Sequence, residues 1–398
     1  MTDNKQILEL AEEIKPLQVE IRRHIHQNPE LAFREFQTTK YIKGILKNNG
    51  IKINPLKMRT GVCAVINPKC KKAVAIRSDI DALPITEKTD VPFKSRNAGV
   101  MHACGHDVHM ATVLGTAIIL NKLRSQINAG VKFLFQPAEE QPPGGAKEMI
   151  ENGVLKNPAV KVIFGLHVDP NVSVGRIGLR DGPTMSSVMD FDIEIIGRGG
   201  HAARPHAAID AVAVAAEVID SLQKVVSREL NPLKPGLITI GVIEGGTVRN
   251  VIAEKVILKG TARTLHGDTQ KWLPKLIRRT IDGVCKARGA KFKLDILSGY
   301  PVMVNHQNAN SILRDSWIEL FGKSTRYKIE VTPMTLGGED FAYFVSKIPG
   351  SMFRLGVKNK KIGADKSWHA SDFMVDEEAM FYGTALLCSA VIRSCENL

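Results

Sequence analysis

The sequence predicts an α/β fold in two domains, a larger one built on a mainly parallel central sheet flanked by helices and a smaller one inserted into it. Three observations carry this. As far as Gly182, short and nearly continuous apolar runs alternate with helix-like stretches, the grammar of strands buried on both faces. From about Met185 the strands become polar–apolar alternating ones, with one face in water. Beyond Gly299 helical periodicity returns.

Taken in order, Ile7, Leu10, Ala11, Ile14, Leu17 and Ile21 recur at helical spacing and predict a helix, kinked or broken at Pro16. The strands expected next are AVAIRSD (73–79), VKFLFQ (131–136) and KVIFGLHV (161–168). A helix, VHMATVLGTAIILNKL, separates the first two, and GAKEMIENG, closed by Gly153, separates the second and third. DFDIEII then reads as a strand and AIDAVAVAAEVIDSLQKVV as an apolar helix. GLITIGVIEGG and VRNVIAEKVILKGTART follow as two strands joined at Gly245–Gly246. DTQKWLPKLIRRTIDGVCKARG is a second helix, with Pro274 near its start where proline is tolerated, and AKFKLDILSGY a last strand. That order, β-α-β-β-α-β, is the ferredoxin-like split motif. The inserted domain is therefore 183–299, and 1–182 with 300–398 forms the larger one, to which the helices ANSILRDSWIELFG and DEEAMFYGTALLCSAVIRS return.

A length of 398 residues fits two domains better than one. The formal charge of +13 raises nucleic acid or an anionic surface as a partner. The basic residues, however, are scattered as pairs such as Arg22–Arg23, Lys71–Lys72 and Lys360–Lys361, without interleaved aromatics. No nucleic-acid partner is expected, while a basic surface suits small anionic substrates. The six cysteines form no CxxC pair and read as reduced thiols. No window approaches the roughly 18 apolar residues of a membrane span, and the N-terminus has no apolar signal core. The expectation is a cytoplasmic protein that does not engage a membrane.

The segment MHACGHDVH (101–109) packs Cys104, His106, Asp107 and His109 around a glycine just before a helix. Thiolate and neutral imidazole are ligands of zinc and similar ions. Three strands deliver further candidates: AVAIRSD ends on Asp79, VKFLFQ runs into Glu139 and Glu140, and KVIFGLH ends on His167. Singly, a glutamate pair at a strand end is an ordinary solvated charge and His167 an ordinary core histidine. Jointly they gather at the carboxyl edge of a sheet, where α/β folds bind ligands. Adjacent residues in extended chain point to opposite sides, so one of Glu139 and Glu140 can ligate metal while the other handles the proton of a water.

These segments closely resemble the N-acyl-amino-acid amidohydrolases, metallopeptidase relatives that include hippurate hydrolases, aminoacylases and plant auxin-conjugate hydrolases. The resemblance spans nearly the whole chain. It rests on RRHIHQNPELAF, RSDIDALPI, MHACGHDVH, QPAEE with GGAKEMIENG, GRGGHAARPH, GGTVRNVIA, TART, GGEDFAYF and SWHASDF. It implies two divalent ions held by Cys104, His106, Glu140, His167 and His369, with Cys104 as bridging thiolate and Glu139 as general base and acid. Zinc, manganese, cobalt and nickel all suit such ligands. Asp79 would orient a ligand imidazole. The resemblance also implies that the inserted domain is a lid through which a homodimer forms. From it His201 would stabilise the oxyanion, while Asn250 and Arg263 hold the substrate carboxylate. GGEDFAYF is either a helix start or part of a pocket wall. Ala211 and Ala253 stand where relatives often carry proline, and Ser78 where alanine is common; none is a proposed ligand.

The expected activity is hydrolysis of N-acyl amino acids to a carboxylic acid and a free amino acid. The rivals are a dipeptidase or carboxypeptidase of the same architecture, and a metal-dependent binding protein without catalysis. A structural zinc site fits poorly, since such sites prefer closed, cysteine-rich tetrahedra.

Overall fold

The computed structural model describes residues 4–398, which divide into two compact units. The first holds the chain up to Gly182, with Val304–Pro333 and Asp340–Leu398; the second holds Pro183–Met303 and Met334–Glu339. The segment Met334–Glu339, grouped by sequence with the larger domain, goes with the smaller unit. Backbone hydrogen bonds tie it there, from Thr335 N–H to Thr184 O and from Ser186 N–H to Gly337 O.

The first unit is built on an eight-stranded sheet. Its spatial order is Lys52–Asn54, Val62–Ile66, Gly130–Gln136, Lys72–Asp79, Ala159–Ser173, Gly350–Lys358, Ile177–Leu179 and Ile329–Val331. The middle four strands are mutually parallel. The flanks turn antiparallel at Lys52–Asn54/Val62–Ile66, Val62–Ile66/Gly130–Gln136 and Gly350–Lys358/Ile177–Leu179. The sheet is thus mixed, parallel through its centre and again at the outer pair Ile177–Leu179/Ile329–Val331. Those central strands are buried along nearly their whole length, and Phe133, Phe135, Phe164 and Phe353 fill the core beside them.

The helices Asn4–Gln27, His106–Lys122 and Ala379–Glu396 pack on one another and against the sheet. His106–Lys122 is buried from His106 to Leu120, so its sequence shows no polar face. Asn4–Gln27 continues as one helix past Pro16, without a break there. Proline in a helix interior costs about 3 kcal/mol. Burial of Ile7, Ala11, Ile14, Ile21 and Ile25 along one face offsets that loss. Among the described residues no helix is long and apolar enough to cross a membrane, and all six cysteines are unpaired thiols.

The second unit runs Ser187–Ile196, helix Ala211–Lys224, Gly236–Gly245, Lys255–Thr264, helix Gly267–Arg288 and Lys291–Ser298. Its four long strands pair antiparallel in the order Gly236–Gly245, Lys255–Thr264, Ser187–Ile196, Lys291–Ser298. A separate core joins Phe191, Ile193, Ile195, Val218, Leu258 and Ile277. Pro274 lies well inside its helix, deeper than the first turn where the sequence places it.

Candidate metal centre

Three sheet strands and two loops bring the predicted ligands together. Gly105 N-caps the helix His106–Lys122 with φ 85°, and a Cβ there would meet Val168 Cγ2 at 2.4 Å. Only glycine turns the chain this tightly beneath that strand, which sets Cys104 and His106 on either side of the turn. Asp79 closes its strand, and Glu139 and Glu140 follow Gly130–Gln136. His167 lies inside its strand, which continues to Ser173 and does not stop at the histidine. His369 arrives on a loop in the left-handed region, φ 63°, with its N–H donated to Ala103 O at 2.9 Å.

Candidate ligand atoms cluster within 4.8 Å of one another as Cys104, His106 and His167, as Cys104, Glu140 and His369, and as His106, Glu139 and Glu140. Cys104 is shared by the first two groups, and its Sγ stands 3.5 Å from His167 Nε2. His369 Nε2 is 3.4 Å from Glu140 Oε1.

Hydrogen bonding selects the tautomers. His106 Nδ1 lies 2.8 Å from Asp81 O, and His167 Nδ1 lies 2.8 Å from Val168 O. A carbonyl only accepts, so each Nδ1 carries a proton and Nε2 is the nitrogen each ring has left to offer a cation. His106 Nε2 and Glu140 Oε1 are buried without a hydrogen-bond partner, as atoms that would face a cation are. The donor set of thiol, imidazole and carboxylate fits a borderline-soft divalent ion.

His109 and Asp107, equally plausible from sequence, are already engaged. His109 Nε2 accepts the Val168 N–H at 2.9 Å, so its Nδ1 donates to Asp79 Oδ1 at 2.6 Å. Asp107 accepts from Arg22 Nε at 2.7 Å and pairs with His26 Nδ1 at 2.8 Å. Asp79 reaches His109 directly, its other oxygen standing 3.6 Å from His106 Nε2 and 2.8 Å from Arg77 Nη1. Arg77 is in turn held by Gln136 Oε1 and Asp340 Oδ1. Asp340 of GGEDF is therefore an anchor beneath the cluster, and Trp368 Nε1 donates to the same Val168 carbonyl as His167.

The electrostatics follow from burial and charge. Burial works to raise the Asp79 pKa, but His106, His109 and Arg77 overcome it and hold the carboxyl well below its usual range. Burial, with Arg354 and His109 nearby, pushes His167 down, so its imidazole is neutral. His106 goes the other way: burial opposes its charge, yet Asp79, Asp81 and Cys104 raise it well above normal. Positive charge is favoured at this place. The Cys104 thiol is pushed up by burial and by Glu140.

His201, Asn250 and Arg263 all belong to the second unit. His201 and Asn250 share an open pocket of about 630 Å³, with the Ala202 N–H donated to Asn250 O at 3.1 Å. His201 Nδ1 accepts the Ala203 N–H at 3.0 Å, which leaves the proton on Nε2. Arg263 lies elsewhere in that unit, on Lys255–Thr264, with Nε donated to Thr261 Oγ1.

Residues 75–393 match the family described as Peptidase family M20/M25/M40. The chain belongs to that family. An N-acetyl-L-cysteine deacetylase of Bacillus subtilis is 38% identical over 100% of this chain and 94% of the relative. A thermostable carboxypeptidase of Saccharolobus solfataricus is 37% identical over 94% of both. The crystal structure of a dinuclear metal-binding M20 peptidase from Bacillus subtilis superposes with TM-score 0.83 at 33% identity, over 97% of this chain and 100% of that one. This M20 protein is accordingly a metal-dependent hydrolase of the amidohydrolase and peptidase kind.

Sequence reasoning set Asp81 two residues past the strand end at Asp79 without giving it a role, and it missed Arg77, Trp368, Asp340 as an anchor, and the engagement of His109. Asp81 alone left a trace, the i, i+2 spacing in RSDID that puts two carboxylates beyond one strand end.

Proposed function

We propose that this protein hydrolyses the amide bond of N-acyl amino acids, releasing a carboxylic acid and a free amino acid. The observation that carries the reading is Glu139. It is a buried carboxylate grouped with His106 and Glu140, directly beside a cluster that already has ligands enough. Cys104, His106, Glu140, His167 and His369 would hold two divalent ions, with Cys104 between them; zinc, manganese, cobalt and nickel all fit these atoms. Bound there, the ions would polarise the substrate carbonyl and make a water more acidic. Glu139 takes the proton of the attacking water and hands it to the leaving nitrogen. Asp79 acts from below, through His109 and the Val168 amide, on the strand that carries His167.

His201 supplies a hydrogen-bond donor to the oxyanion, a role its Nε2–H suits. Asn250 and Arg263 take the substrate carboxylate, in keeping with the +13 charge. The second unit acts as a ferredoxin-like lid and as the surface of a homodimer. The deacetylase relative supports an N-acyl substrate, and a cytoplasmic location matches reduced thiols. The carboxypeptidase relative keeps peptide cleavage as the second reading.

The test is amino-acid release from a panel of N-acetyl, N-benzoyl and N-acyl-aromatic amino acids, with and without chelator and added metal. Release restored by metal supports the proposal. Cleavage of dipeptides alone replaces it with the second reading, and turnover by Glu139→Gln removes Glu139 as the base.

A further inference from the structure

Glu35 lies outside every candidate ligand group, yet its side chain is completely buried. Its Oε1 accepts the Ala138 N–H at 2.8 Å, and its Oε2 accepts the Thr60 hydroxyl at 2.8 Å. Its own carbonyl takes the Thr39 N–H at 2.9 Å, and Thr39 Oγ1 takes the Gly61 N–H at 2.9 Å. The carboxylate is thereby fixed between the start of Phe36–Asn48 and the segment entering Val62–Ile66.

Ala138 is the residue before Glu139, and it sits in the left-handed region at φ 56°. For an alanine that conformation costs roughly 1–2 kcal/mol and persists only where surroundings impose it. Rotation about the Ala138 backbone swings the direction of Glu139 directly. On the far side, the Glu140 N–H is taken by Asp81 Oδ2 at 2.9 Å. The amides flanking Glu139 therefore each end on a buried carboxylate. Keeping one at Glu35 is unfavourable, since burial and the nearby Asp81 charge push its pKa up to about 7.

We propose that Glu35 is a positioning residue for Glu139, gripping the Ala138 amide so that the strained turn aims the base at the reacting water. It touches neither substrate nor metal. The inference rests on the reading of Glu139 as base, and the experiment separates the two.

Glu35→Ala, Glu35→Asp and Glu35→Gln are compared with the native protein and with Glu139→Gln. The readouts are kcat, KM, bound metal, thermal midpoint and hydrogen exchange of the peptide covering 137–140. Alanine removes the acceptor, and aspartate keeps the charge but falls one methylene short. Each lowers kcat about 100-fold, the scale of losing an outer hydrogen-bond partner or of a ~1 Å misplacement. KM and bound metal stay within twofold, and exchange at 137–140 accelerates even without metal. Glutamine restores kcat to within about threefold, because its amide oxygen accepts from Ala138 and its NH₂ donates to Thr60. If glutamine fails like alanine, or if kcat and metal fall together in all three, the positioning role is overturned. If Glu139→Gln is inactive while Glu35→Asp turns over normally, this inference alone is overturned. A Glu139→Gln variant that still turns over overturns the underlying reading instead.

Discussion

Asp79 Oδ1 lies 2.6 Å from His109 Nδ1 and fixes the proton there, so that the His109 Nε2 lone pair is spent on the Val168 N–H at 2.9 Å, which withdraws His109 from metal binding and makes it a strut under His167. The relay runs from Asp340 through Arg77 and Asp79 to His109, the Val168 amide and, one carbonyl further, His167 and Trp368. Removing a member leaves a buried charge or donor unmet. Asp79→Ala strips a partner from the fully buried Arg77 and should cost about 3–5 kcal/mol. Asp79→Asn keeps the shape but turns its NH₂ on a donor, Arg77 Nη1 or His109 Nδ1, so it should lose part of that stability and weaken metal binding by about 10–100-fold. Urea unfolding and metal titration of the two variants check this; equal stability of Asp79→Ala and the native protein would contradict it.

Cys104 appears in two candidate ligand groups, whereas His369 appears in one. Metal content should follow that count. Cys104→Ser is expected to lose most bound metal, and His369→Ala about half, measured by elemental analysis after dialysis. Equal content in both variants would argue against a shared thiolate.

How much of this was legible beforehand differs from residue to residue. The strand ends at Asp79 and at Gln136 were readable because buried parallel strands are continuous apolar runs with a sharp polar stop. Val62–Ile66 and Gly350–Lys358 were not: Gly61 with Asn67–Pro68 bounds the first and Pro349–Gly350 opens the second, but runs this short and without a period suit helix and strand equally well. Within MHACGHDVH, His106 and His109 stand three apart on one helix face and look alike. What distinguishes them is Nε2, without a hydrogen-bond partner in His106 but taken by the Val168 N–H in His109, which depends on tertiary structure. Glu35 and Ala138 are 103 positions apart, and nothing local to either marks the pair.

Gly105 should be the least replaceable glycine of the site. Its φ of 85° is strained for any other residue, and a Cβ would overlap Val168 Cγ2 at 2.4 Å. Val168 carries the carbonyl that fixes the His167 tautomer and the amide that engages His109. Gly105→Ala is therefore expected to lower stability by roughly 1–3 kcal/mol and to release metal at chelator concentrations that spare the native protein. A variant with native metal retention would show that the turn can shift without moving His167.

Glu35 also makes stability depend on pH in a direction opposite to ordinary acid denaturation. Its carboxyl is shifted from 4.5 to about 7 by burial and by Asp81, the charged group facing it. Between those values the folded chain holds a proton that the unfolded chain has lost. Stability from this group is complete below about pH 4.5 and falls as pH rises, until it is gone above about pH 7. The shift corresponds to roughly 3 kcal/mol at most. Glu35→Gln cannot ionise and keeps both hydrogen bonds, so the native penalty disappears. Its unfolding free energy should exceed that of the native protein at about pH 8 and converge with it near pH 5. Parallel curves across that range would mean that Glu35 titrates in the folded protein as it does in water.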